Sequence, residues 1–198
     1  MNIILASKSP RRTEILNLMN IKHIIIPSQE EEKIEKQLSP KEVVKSLAYQ
    51  KANSIAKDHP NDLVIGSDTI VVINNQVLGK PKDYNDAIKM LELLQNNTHQ
   101  VMTGVSLIKG SYIDTFVDIA DVTFNKMTKE DILLYLEKDK PFDKAGAYGI
   151  QDKHANFVKK ISGDFYTIMG LPKEKLQKHL EKIMWKHFHN IYNTKLWH

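Results

Sequence analysis

No cysteine occurs among the 198 residues, which excludes disulfides, thiolate metal sites and a cysteine nucleophile. That usage suits a reducing compartment, and a cytoplasmic location is the expectation. Long apolar runs are just as scarce. The longest aliphatic stretches, such as residues 3–6 and 70–73, are far too short to span a bilayer. Residues 1–6 turn polar before reaching the length of a secretory apolar region, and no basic segment precedes them. Arginine is the rarest charged side chain. Of 28 Lys plus Arg only two are Arg, and they are adjacent, Arg11 and Arg12. A guanidinium offers a planar two-point fork to phosphate that an ammonium cannot copy, so this pair reads as a phosphate-binding feature.

What is present describes an ordinary globular chain. At 41% hydrophobic and 26% charged, with this length, it is expected to form one domain with a real core. The formal net charge is +4 and the pI about 9.0. Basic and acidic residues alternate, with no long basic run. A small polyanion is therefore favoured over a nucleic-acid track.

Hydrophobic spacing gives the elements. Residues 3–6 read as a short buried strand, followed by a helix over 10–19 with Pro10 in its first turn. Residues 21–27 read as a second strand and 29–37 as an acidic loop. Ser39, Pro40 and Glu42 form a helix start, and the helix is expected to run to about Asp58. Its apolar stripe is Val44, Leu47, Ala48 and Ile55, and Lys51 falls on that same stripe, where a purely structural helix has no use for a lysine. Residues 63–73 read as a core strand broken at Gly66, Ser67, Asp68 and Thr69, with a tight turn at Asn74 and Asn75. A helix over 83–94 precedes two long strands, 101–108 and 113–124, joined as an antiparallel hairpin around Gly110. Thr128 caps a helix through Leu136, residues 143–150 form a Gly/Ala-rich loop, 157–161 a strand, and Pro172 opens a last helix. Helices alternate with strands and two strands share a hairpin, which predicts an α/β fold with a mixed sheet.

Several residues carry chemistry. Asp68 interrupts an aliphatic strand, and a buried carboxylate needs a partner, a metal or backbone donors. Glu30, Glu31 and Glu32 form an acidic loop: either solvated surface, or carboxylates that join Asp68 in holding Mg²⁺ or Mn²⁺ with phosphate oxygens. Lys80 sits in a Gly79-Lys80-Pro81 turn. Ser7 and Ser9 precede a helix and suit phosphate binding better than nucleophilic catalysis, since Gly-x-Ser-x-Gly is absent, as are the Walker and Gly-x-Gly-x-x-Gly patterns. His187 and His189 in the tail are too close in sequence to share a helical face as metal ligands.

These segments come in one order: Ser7, Ser9-Pro10-Arg11-Arg12 and Glu14; Gly66-Ser67-Asp68-Thr69; Gly79-Lys80-Pro81; His99-Gln100-Val101-Met102-Thr103-Gly104-Val105; Lys144-Ala145-Gly146-Ala147-Tyr148-Gly149-Ile150-Gln151; Gly170-Leu171-Pro172. In that order they resemble the Maf-type nucleoside triphosphate pyrophosphatases, first named for septum formation, over roughly residues 2–180. The resemblance implies an elongated α/β domain with a central cleft, related to the inosine-triphosphate pyrophosphatases. It implies a domain over 1–181 and a C-terminal helical extension over 182–198. Ser7, Arg12, Lys51 and Lys80 match phosphate-binding positions, and Glu32 and Asp68 match the catalytic and metal-binding carboxylates, with Glu32 chosen over Glu31 by its spacing from Ser7. Arg11, Thr69 and Gln151 match the group that hydrolyses dTTP and UTP. The expected cofactor is Mg²⁺ or Mn²⁺, and the expected partner is a nucleoside triphosphate, with no stable nucleic acid and no membrane. A homodimer is the oligomer to test for. The family usually continues Gly-Ile-Gln-Gly-x-Gly, whereas this chain reads Gly149-Ile150-Gln151-Asp152-Lys153-His154, which predicts a stiffer loop beside the base. The rival reading from another class is a non-catalytic nucleotide- or nucleic-acid-binding regulator of cell division.

Overall fold

The structure, a computed structural model, describes residues 1–29, 33–34 and 37–194, with side chains as far as Ile183. Its elements are β1 (Ile3–Leu5), α1 (Pro10–Leu18), β2 (Ile24–Ile25), α2 (Pro40–Ala56), β3 (Leu63–Ile73), β4 (Gln76–Leu78), α3 (Tyr84–Leu94), β5 (Thr98–Lys109), β6 (Tyr112–Phe124), α4 (Lys129–Asp139), β7 (Val158–Ser162), α5 (Phe165–Met169) and α6 (Lys173–Thr194). A seven-stranded mixed sheet runs β2-β1-β3-β5-β6-β7, with β4 also paired to β3. β1 is parallel to both β2 and β3, while β3, β5, β6 and β7 form successive antiparallel pairs. Among the described residues no helix is long and apolar enough to cross a membrane.

β3 organises the molecule because its side chains alternate between two differently covered faces. Val64, Ile70 and Val72 face α2, where they pack with Val44, Ala52 and Ala56 of that helix. Leu63 and Ile65 face the opposite side under α1 and α6, with Ile15, Leu16, Leu176 and Leu180. Val71 and Ile73 face that same side further along, under α3 and α4, with Leu91, Leu94, Ile132 and Leu136. The two clusters on this face are separated by the polar side chains of Ser67 and Thr69. Ile150 packs against both clusters, which sets the loop carrying Gln151 over the gap.

β3 is one continuous strand, not a strand broken at Gly66–Thr69. Its partner β5 pairs with it from Val64 to Val72 without a register shift, with Thr69 opposite Thr103. The glycines there serve close packing. A Cβ on Gly66 would lie 2.3 Å from the Ala48 carbonyl oxygen, and one on Gly104 would lie 2.3 Å from that of Val44. Their absence lets the backbone of α2 rest on the sheet. A capping box at Ser39 and Glu42 fixes the start of that helix, as expected. The second strand is shorter than expected: only Ile24 and Ile25 pair, with Ile4 and Leu5. α6 runs unbroken across residue 181, and Ile183 packs in the cluster under α1.

His99 on β5 is 2% exposed, with Nε2 2.8 Å from Tyr148 Oη and its ring edge-on to Phe124. Burial pushes its pKa down to about 4. Between that value and the ordinary 6.5 the unfolded chain holds a proton that the folded chain does not. This residue's contribution to stability is therefore complete above pH 6.5 and is lost as pH falls toward 4. The loss is about 3 kcal/mol. Urea unfolding of wild type and His99→Gln at pH 7 and pH 4.5 should show a smaller pH difference in the variant. Equal differences would mean that His99 titrates normally.

Candidate active site

The outer edge of β3 is paired with β1 up to Ile65 and with β4 from Val71. Residues 66–70 lie between those ladders, and a cavity of about 400 Å³ opens there. Ser7, Arg11, Arg12, Lys51, Asp68, Thr69, Lys80 and Gln151 all line it. Glu32 lies outside the described residues. Among the described residues, six cationic side chains (Lys8, Arg11, Arg12, Lys51, Lys80 and Lys144) line the cavity with two carboxylates, Asp68 and Asp143. The excess of positive charge in a concave site favours a polyanion.

Each group is held by a definable piece of the fold. Asp68 points to the α2 face, and the close seat of that helix brings the Lys51 ammonium onto its carboxylate in a short ion pair; both side chains are largely shielded. Lys51 is thus the residue that makes sense of the cation on the helix's apolar stripe. Arg12 on α1 is pinned along its guanidinium. Nε donates to Gly170 O at 2.9 Å, Nη1 to Ser7 Oγ at 2.9 Å and Nη2 to Thr69 Oγ1 at 3.4 Å. Gly170 O is also held by the buried Ser67 hydroxyl at 2.8 Å. The guanidinium plane is therefore fixed before any ligand arrives.

Three charged cavity residues, Lys8, Asp143 and Lys144, were not singled out as site residues from the sequence. Asp143 pairs with Arg11 at 3.4 Å and with Lys144 at 2.8 Å. Burial alone would raise the Asp143 pKa, but Lys144 and Arg11 together hold it below the usual carboxylate value. Lys144 opens one of the ordered motifs and directly follows Asp143, and that was the available signal.

The departure after Gln151 turns away from the cavity. Tyr135 Oη donates to Asp152 Oδ2 at 2.6 Å and accepts from the Gly149 N–H at 3.0 Å. His154 Nδ1 lies 2.7 Å from Asp139 Oδ2 of α4. Asp152 and His154 tie the loop to α4, and none of Asp152, Lys153 and His154 lines the cavity. These bonds hold the loop to α4, and residues 152–154 add no group to the lining of the pocket.

Fold and site together define an α/β protein with a cation-rich cleft at a gap in its sheet. The chain belongs to the family described as Maf-like protein, whose profile matches residues 2–183. It is similar to the dTTP/UTP pyrophosphatase of Bacillus velezensis, 49% identical over 91% of this chain and 95% of the relative. The relative of the same description from Bacillus pumilus is 48% identical over 90% of this chain and 95% of its own. A solved structure, the Ham1 protein of Staphylococcus aureus, aligns with 92% of this chain and 99% of its own at 16% identity and a TM-score of 0.47.

Proposed function

We propose that this protein hydrolyses dTTP and UTP to the nucleoside monophosphate and pyrophosphate. The observation that carries this reading is the cleft itself: cations from α1, α2 and three loops line one cavity with Asp68. The family membership and the activity named for its relatives point the same way.

In this reading Ser7, Arg12, Lys51 and Lys80 bind the triphosphate. Asp68, with Glu32, orients water and accepts its proton as the water oxygen bonds to the α-phosphorus. The bond from that phosphorus to the bridging oxygen breaks, and pyrophosphate leaves with the bridging oxygen. Lys51 touches Asp68 and faces the cavity, so one ammonium neutralises both the carboxylate and incoming phosphate oxygens. The donor chemistry fits Mg²⁺ or Mn²⁺: Asp68 offers hard carboxylate oxygens in a cleft shaped for phosphates, and such ions are commonly held by one or two carboxylates plus substrate oxygens. When bound, the cation supplies Lewis acidity at the phosphoryl oxygens. Arg11, Thr69 and Gln151 read the base. The cytoplasm is its place of action, and light scattering of the purified protein tests for the homodimer.

A competition assay with equal UTP, dTTP, CTP, ATP and GTP tests the reading. UTP and dTTP should be consumed first, with ATP and GTP poor. ATP or GTP used as fast as UTP would refute the pyrimidine assignment. Binding without turnover would favour the regulator, and orthophosphate as the product would favour a phosphatase.

The two arginines should separate. Arg12→Lys keeps the charge but loses three directional contacts, and kcat/KM should fall about tenfold to a hundredfold on every nucleotide. Arg11→Ala should change the ranking among bases. The same effect from both changes on all five substrates would sink this division.

A further inference from the structure

Two hydroxyls flank the Arg12 guanidinium, and their hydrogen-bond polarity can be worked out. Thr103 Oγ1 donates to the carbonyl oxygen of Thr167 at 2.7 Å. A carbonyl only accepts, so the single Thr103 proton is committed to it. Thr103 is fully buried, and its oxygen lies 2.9 Å from Thr69 Oγ1. Thr69 must therefore be the donor in that pair. Its own proton points into the sheet, and toward the cleft its oxygen presents lone pairs, one of them taking Arg12 Nη2–H.

Ser7 has the opposite polarity. Its Oγ accepts from the Ser9 N–H at 3.2 Å and from Arg12 Nη1–H at 2.9 Å. With both lone pairs engaged, its remaining capacity toward a ligand is its proton. On one side of Arg12 the cleft offers a hydroxyl donor, suited to a phosphate oxygen. On the other it offers a hydroxyl acceptor, which repels a phosphate oxygen and requires an N–H or O–H.

We infer that Thr103 is a positioning residue for base recognition: by taking the Thr69 proton it makes Thr69 an acceptor that selects the ring N–H of uracil or thymine. This rests on the pyrophosphatase reading above. Cytosine carries an unprotonated nitrogen at the same ring position, and two facing acceptors leave both groups unpaired. The sugar hydroxyls are the other source of a donor, and the test separates them.

The experiment compares kcat/KM for UTP, CTP and dUTP in wild type, Thr103→Val and Thr103→Ser. Valine keeps the volume, and the Thr167 carbonyl retains the Gly170 N–H at 3.2 Å. In Thr103→Val the Thr69 hydroxyl is free to turn and donate, so the UTP/CTP ratio should fall about tenfold, the scale of one hydrogen bond made or mismatched. Thr103→Ser keeps the acceptor and should restore the wild-type ratio. Urea midpoints of the variants show that the ratio is read on folded protein. An unchanged UTP/CTP ratio in Thr103→Val overturns the inference. A change confined to the UTP/dUTP ratio overturns it as well, by giving Thr69 to the sugar. Wild type that releases no pyrophosphate from any of the three overturns the underlying function instead.

Discussion

Asp68→Asn is expected to lower turnover of UTP by about a hundredfold or more, the scale of a lost acid–base group. The substitution keeps the shape and keeps an oxygen to accept from Lys51. It removes the charge, and with it the capacity to take a proton from water or to hold a cation strongly. The stability cost should stay small, because the pair lies at the edge of a cavity where Lys51 can reach water. Steady-state kinetics together with a urea unfolding curve separate the two effects. Near wild-type turnover in a folded variant would remove Asp68 from the chemistry.

Gly66→Ala is expected to have the other large effect, on folding and activity at once. The new Cβ would sit 2.3 Å from the Ala48 carbonyl oxygen and 2.6 Å from the Ala52 nitrogen. Both are backbone atoms of α2, so no side chain can swing aside and the helix must lift. Overpacking of this kind costs about 3 kcal/mol, or about 6 to 12 °C in Tm for a chain of this length. Lys51 rides on α2, so the ammonium should leave Asp68 as the helix moves, and kcat/KM should fall even well below the lowered Tm. Gly104→Ala meets the Val44 carbonyl at the same distance and should behave alike. An unchanged Tm in both would mean that α2 does not rest on the sheet as described.

These glycines show where sequence reading stops. The helix α2, its Ser39 cap and the displaced Lys51 were legible because cap chemistry and a 3.6-residue period are local signals. The hairpin of β5 and β6 was legible for the same reason. The reason for Gly66 was not: a glycine in a strand reads as a break, whereas here a helix backbone from elsewhere in the chain needs the space. The short α5 was missed because five residues carry no period. Ser7, Arg11, Arg12, Lys51, Asp68, Thr69, Lys80 and Gln151 were recognised as chemically out of place or as parts of ordered motifs. Their coupling was invisible, since Arg12 to Gly170, Thr69 to Thr103 and Tyr135 to Asp152 depend on contacts between distant segments. The role of Asp152 could not be read either, because a carboxylate in place of glycine gives no sign of which way it turns.

Water is expected to attack the α-phosphorus. Hydrolysis of UTP in oxygen-18 water with Mg²⁺, followed by mass spectrometry of both products, tests it most directly. One heavy oxygen is expected in the uridine monophosphate and none in the pyrophosphate. Label in the pyrophosphate, or release of orthophosphate in its place, would contradict it.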